Sequence, residues 1–188
     1  MTRTLRFPAW LLLLPLADAH QPSNLDDGVF TPKDPKISYA VNGRFETGDE
    51  VFEIPLTYED GFTLPFELLV EKKAANVDHR PMYAVIGPGL PVPTDTERSL
   101  LPRALPTGWG AFVDANDDAE RLVIFESVMR RFYWSSVATA LVLPGGNYEI
   151  LIWSPEGTTG DFVMAFGVEE DFSDGYGGLF EDWSTYAY

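Results

Sequence analysis

Short apolar runs, each closed by Gly, Pro, Asn or Asp, recur along this chain and predict strands at 37–41, 50–58, 62–71, 82–86, 110–114, 121–127, 137–143, 148–153 and 161–166. Two runs alternate cleanly. Val51, Glu53 and Pro55 oppose Phe52, Ile54 and Leu56, while Tyr148, Ile150 and Ile152 oppose Glu149, Leu151 and Trp153. Both runs also carry apolar residues on the second face, a pattern that suits strands covered on both sides. Helical periodicity is almost absent. The expectation is an all-β fold, a single jelly-roll-like antiparallel β-sandwich of about 8–9 strands. Pro55 and Pro65 cannot donate ladder hydrogen bonds, so each is expected at an edge or a bulge.

The pattern breaks in three places. Between Ile86 and Gly110 the stretch GPGLPVPTDTERSLLPRALPTGWG is too rich in Pro and Gly for regular structure, and is expected to form a long Pro/Gly-rich crossover loop. Gly87-Pro88-Gly89 at its start suits a rigid strand exit with positive φ at glycine. It lacks the Lys-Ser/Thr of a phosphate loop. At the N-terminus, Arg3 and Arg6 precede an apolar run through Leu16, and Ala17-Asp18-Ala19 offers small residues to a peptidase. Those zones predict a secretory signal peptide, too short in its apolar part for a bilayer span of about 20 residues. At the other end, 168–188 holds six acidic residues, six aromatics and no base. The expected organisation is signal peptide 1–19, sandwich 20–167 and acidic aromatic tail 168–188.

Charge narrows the partners. The chain carries 13 basic and 29 acidic residues, net −16. Cleavage after Ala19 removes two bases and one acid, leaving 11 − 28 = −17. Such an excess repels phosphate backbones and anionic lipid, so nucleic acid is a poor partner. Cations, glycans or a neutral cell-surface ligand are better ones. There is no cysteine, so no disulfide, thiolate metal site or cysteine nucleophile exists and the fold must hold by its core. None of the five asparagines begins an Asn-x-Ser/Thr acceptor.

The stretches GDEVFEIPLTYEDGFTLPFELLV (48–70) and LPGGNYEILIWSPEGTTGDFVMAFG (143–167) resemble the opening and closing strands of bacterial pre-peptidase C-terminal-type jelly-roll domains. AHQP at 19–22, VIGPGLP at 85–91 and the closing hairpin resemble a group of secreted proteins that share a GPGLP motif. The resemblance implies a jelly-roll sandwich and export. It implies no activity.

Catalytic constellations are scarce. No G-x-S-x-G elbow is present, and with so many acids a carboxylate pair identifies nothing, so the sequence leans away from an enzyme. Three ligand chemistries remain open. Asp114, Asn116, Asp118 and Glu120 crowd oxygen donors into seven residues and begin like a calcium loop. Ala119 and Phe125 stand where an EF-hand needs Gly and Glu, which leaves a simpler loop site or a solvated turn. His20, if it becomes the mature N-terminus, offers an α-amine and an imidazole; with His79 it would complete an N3 set suited to copper, similar to a histidine brace. His79 lies in the polar stretch AANVDHRP, where a solvated side chain is the plainer expectation. Trp109 and Trp134, flanked by loop signals, are candidates for exposed rings that stack on sugars. The sequence thus points to a ligand- or surface-binding module, with calcium as an adjunct and copper or carbohydrate binding as alternatives.

Overall fold

The computed structural model describes residues 4–5, 21–25, 27–114, 121–126, 130–136, 138–169 and 171. Its strands are β1 (Thr4–Leu5), β2 (Gln21–Asn24), β3 (Tyr39–Phe45), β4 (Val51–Tyr58), β5 (Phe62–Glu71), β6 (Met82–Pro88), β7 (Trp109–Asp114), β8 (Leu122–Glu126), β9 (Arg131–Ser135), β10 (Thr139–Leu143), β11 (Gly146–Trp153) and β12 (Gly160–Phe166). A 3-10 turn at Ala74–Asn76 and one short helix, α1 (Asp95–Leu100), complete the elements. The strands form two sheets packed as a β-sandwich. One runs β1-β10-β5-β12-β3-β2, with β9 also beside β5 and β8 beside β9; the other runs β4-β11-β6-β7. Every strand pair is antiparallel except β2 with β3. All nine expected strands are present. The sequence reading passed over the two short strands β1 and β2, and also β9, whose residues it took for an aromatic cluster.

Alternation decides which side chains meet between the sheets. Phe52, Ile54, Leu56 and Tyr58 from β4 and Tyr148, Ile150 and Ile152 from β11 face Leu64, Phe66, Leu68 and Val70 from β5 and Phe162, Met164 and Phe166 from β12. Each fully buried side chain of this size contributes about 1.5–3 kcal/mol. That source carries the stability of a chain without disulfides. At one end Phe45, Phe52 and Phe162 form a triangle of rings with centroids 5.0–5.1 Å apart.

The outer face of the smaller sheet is covered as well. Met82, Ala84, Ile86, Ala111, Leu151 and Trp153 make a second buried cluster, against which Leu100, Leu101, Leu105 and Trp109 pack. The Pro/Gly-rich crossover is therefore an ordered cover. A capping box starts its helix: Thr94 Oγ1 accepts from the Glu97 amide at 3.2 Å, and the Glu97 carboxylate accepts from the Thr94 amide at 2.7 Å. Arg103, in the same crossover, pairs with Glu149 and, at 3.5 Å, with Glu53, both on the outward face of β11 and β4.

The prolines sit where the ladder has room for them. Pro55 lies on β4, the edge of the smaller sheet. Pro65 lies on β5 opposite Ala140 of β10, one residue before the β12 ladder begins at Phe66. Gly89 has φ +74°, as the turn reading required. Gly87 is needed for a different reason: a Cβ there would come within 2.2 Å of the Tyr148 ring.

Candidate functional site

His79 follows the 3-10 turn and precedes β6. Its amide donates to the Asn76 carbonyl at 3.1 Å, and its own carbonyl accepts from Arg121 Nη2 at 3.2 Å. The imidazole is 2% exposed, packed edge-on to Phe45 at 5.6 Å and against Gly160, where a Cβ would come within 2.8 Å of the ring. Nδ1 lies 3.0 Å from Thr158 Oγ1, which lies 3.0 Å from Ser154 Oγ. Nε2 is buried and has no hydrogen-bond partner among the described residues. A buried bare lone pair costs less than a buried unmet N–H, which assigns the proton to Nδ1, donating to Thr158. Burial, reinforced by the Arg121 charge and opposed by Asp161, holds the pKa down to about 4. The solvated side chain expected at His79 is thus corrected to a neutral core histidine. Its burial comes from Phe45, Thr158 and Gly160, all distant in sequence.

The metal readings meet this end of the sandwich only in part. His20 lies outside the described residues. Its neighbour Gln21 pairs with Tyr39, whereas Phe45, which touches His79, is six residues further along β3. At about 3.3 Å per residue that is roughly 20 Å. Gln21 is thus well separated from the His79 ring. Asn116, Asp118 and Glu120 also lie outside the described residues. Asp114 ends β7, where its Oδ2 accepts from the buried Tyr83 hydroxyl at 2.9 Å. Burial and the Asp114 carboxylate push the Tyr83 pKa well up, so the phenol stays protonated as a donor. Among the described residues no three His, Asp or Glu side chains converge as a metal site.

The two tryptophans are not open platforms. Trp109 is partly buried against the cluster beneath the crossover. Trp134 on β9 packs against the main core on one side, and the Arg121 guanidinium lies 4.5 Å from its ring centroid. A sugar would have to displace that cation to stack there.

What the sequence did not single out is the surface that continues from Trp134. Across the ladders, core residue Val70 lies beside Trp134, and Trp134 beside Val123; the next rung is Phe125 with Phe132. Cross-strand partners share a face. The core-facing side of the larger sheet therefore runs outward onto the β8–β9 hairpin, beyond the smaller sheet. There it is open: Val123 is 47% exposed, and Phe125 and Phe132 are each 55% exposed, with their rings 5.0 Å apart. Among the described residues β8 pairs only with β9. Residues 121–136 carry Arg121, Arg130 and Arg131 against Glu126, net +2 in a chain of −16. The signal was present in LVIFE followed by RFYWS, two runs too apolar on both faces for a half-buried hairpin.

No protein-family model and no curated protein matches the chain. Among solved structures it is similar to the pre-peptidase C-terminal domain of collagenase from Bacillus anthracis, with 8% identity and a TM-score of 0.35 over 79% of this chain and 97% of that one. The assignment as a β-sandwich rests on the two sheets themselves. No helix among the described residues is long and apolar enough to cross a membrane.

Proposed function

We propose that this chain is a non-enzymatic binding module, exported after cleavage behind Ala19, that takes an extended polypeptide segment on the β8–β9 hairpin. The observation that carries the reading is the apolar ladder Trp134, Val123, Phe125 and Phe132 running out of the core into solvent on a hairpin whose strand β8 pairs, among the described residues, with β9 alone. An added strand would take backbone hydrogen bonds from β8, while the rings and aliphatic side chains select its side chains. Three arginines against one acid in this stretch favour an acidic, aromatic-bearing partner over a cationic one. Carbohydrate is the weaker alternative, because Trp134 is partly buried against the core and Arg121 lies over its ring.

Peptides selected from a random displayed library test this. Binders are expected to be acidic and aromatic, and to lose at least about tenfold in affinity for the Phe125→Ser/Phe132→Ser double variant, since aromatic anchors dominate such interfaces. Binders unaffected by that double change would sink the reading, as would a glycan array that binds where no peptide does. Intact mass of the exported protein should place His20 at its N-terminus. Calcium at Asp114, Asn116, Asp118 and Glu120 belongs to this reading only if excess calcium raises the thermal midpoint and chelation lowers it.

A further inference from the structure

We propose that His79 is an acid-operated latch: protonating its ring releases the segment 72–80 and the 154–160 turn from the end of the sandwich and uncovers the Phe45 ring at the corner of the aromatic triangle. The latch is independent of the hairpin ladder. Both segments that meet at the ring lie mostly in solvent. Lys72 to Ala75, Val77 and Asp78 are exposed, as are Pro155 to Gly157 and Thr159, while His79 is 2% exposed. One buried side chain thus pins two surface segments. Its Nδ1 lies 3.0 Å from Thr158 Oγ1, and Thr158 is bound in turn to Ser154 Oγ through its hydroxyl at 3.0 Å and its amide at 2.9 Å.

With Nδ1–H donating to Thr158, protonation places a second N–H at Nε2, which has no acceptor among the described residues. A buried, charged donor without an acceptor is the costly case, and moving the ring into water removes it. Turning in place offers little relief, because the ring closes on Gly160, where an added Cβ would come within 2.8 Å of it, and edge-on to Phe45. The charge of Arg121, just before β8, opposes protonation. Asp161 at the start of β12 favours it, and is shared with Arg44 at 2.8 Å and Lys73 at 3.6 Å. From β3 the ring meets neutral Phe45, and from the turn the hydroxyl of Thr158; Asp78 and Arg80 flank it on its own segment. The closed state holds the proton only near pH 4 and the released ring near 6.5, so closure weakens as pH falls through that window. Between pH 7.5 and pH 5 the opening equilibrium rises roughly thirtyfold.

Amide hydrogen exchange in the full chain, corrected for the intrinsic effect of pH, tests this. The amides of His79, Gly157 and Thr158, bound to the Asn76 carbonyl, the Ser154 carbonyl and Ser154 Oγ, report the opening. They are expected to be less protected than Ile150 and Ile152 of β11 and insensitive to low urea, as local release requires, and their opening equilibrium should rise roughly thirtyfold from pH 7.5 to pH 5. His79→Gln should abolish the rise. Asp161→Asn, outside the core, should move the rise to lower pH, because the charge that favours protonation is gone. No rise, a rise of equal size in His79→Gln, or exchange of these amides only together with Ile150 and Ile152 overturns the latch. If His79→Gln does not fold, Asp161→Asn decides alone: a rise that stays in place or moves to higher pH overturns it.

Discussion

The buried imidazole of His79 makes a quantitative prediction about acid stability. A histidine whose folded pKa is lowered binds its proton first in the unfolded chain, so the native state loses stability as pH falls through the unfolded value toward the folded one. Here the window runs from 6.5 down to about 4. At pH 5 the unfolded imidazole is almost fully protonated and the folded one is about nine-tenths neutral, a difference of roughly 2 kcal/mol. For a domain of this size that corresponds to about 4–8 °C in Tm. Carboxylates titrate in the same range, so the quantity to measure is the difference between the unaltered chain and His79→Gln. Glutamine can keep a hydrogen bond to Thr158 and does not titrate. Melting curves followed by circular dichroism at pH 7.5 and pH 5 should show the unaltered chain losing about 4–8 °C more than the variant. Parallel losses in the two chains would refute the neutral, buried assignment.

Three further changes probe the frame around the hairpin. Desolvation works to raise the Glu50 pKa, but the backbone N–H groups of Glu46, Thr47 and Gly48, at 2.7–2.8 Å, together outweigh it and hold the pKa down to about 2. The stability it contributes is complete above 4.5 and is lost as pH falls toward 2; after discounting for solvent screening, Glu50→Gln should cost roughly 1–2 kcal/mol in urea melts at pH 7 and little near pH 2. Gly167 has φ +86° and a Cβ there would meet the Ile37 carbonyl at 1.9 Å, so Gly167→Ala should cost at least about 2 kcal/mol by the same assay. Glu67, pushed up by burial despite the Ser135 hydroxyl that donates to it, favours its neutral form. Glu67→Gln should therefore raise Tm at pH 7 relative to pH 4.5, whereas a fall that is larger at pH 7 than at pH 4.5 would show that the carboxylate is needed charged.

Much of the fold was legible because a period of two is a direct record of which side chains meet between sheets. Phe52, Ile54, Leu56 and Tyr58 read as one face and are one face. Leu151 and Trp153 signalled cover on the second face, although only the structure shows that Leu100, Leu101 and Leu105 of the crossover supply it. What failed to show was whatever depends on partners far away in sequence. His79 sits in a polar stretch whose local chemistry says solvent, yet Phe45 and Thr158, 34 and 79 positions away, bury it. Only Gly160, small enough to admit the ring, left a trace, and that trace has no meaning until the pairing is known.

The hairpin was hidden for the opposite reason. Arg131-Phe132-Tyr133-Trp134 has the composition of a ligand cluster and the alternation of a strand, and the sequence reading chose the first. The strand is what the structure shows: Tyr133 is buried, while Phe132 stands out and Trp134 joins the rim of the core. Phe125 was weighed only as a failed calcium ligand, because the pattern that mattered was its rung with Phe132. An apolar ladder that continues a core into solvent costs little to fold, since each of the two rings is already half exposed. Replacing both should therefore disturb stability far less than the roughly 3–5 kcal/mol expected for Phe162→Ala in the ring triangle. That asymmetry is what allows the proposed binding to be tested at Phe125 and Phe132 while the sandwich is kept, and it would be absent if those rings served the fold.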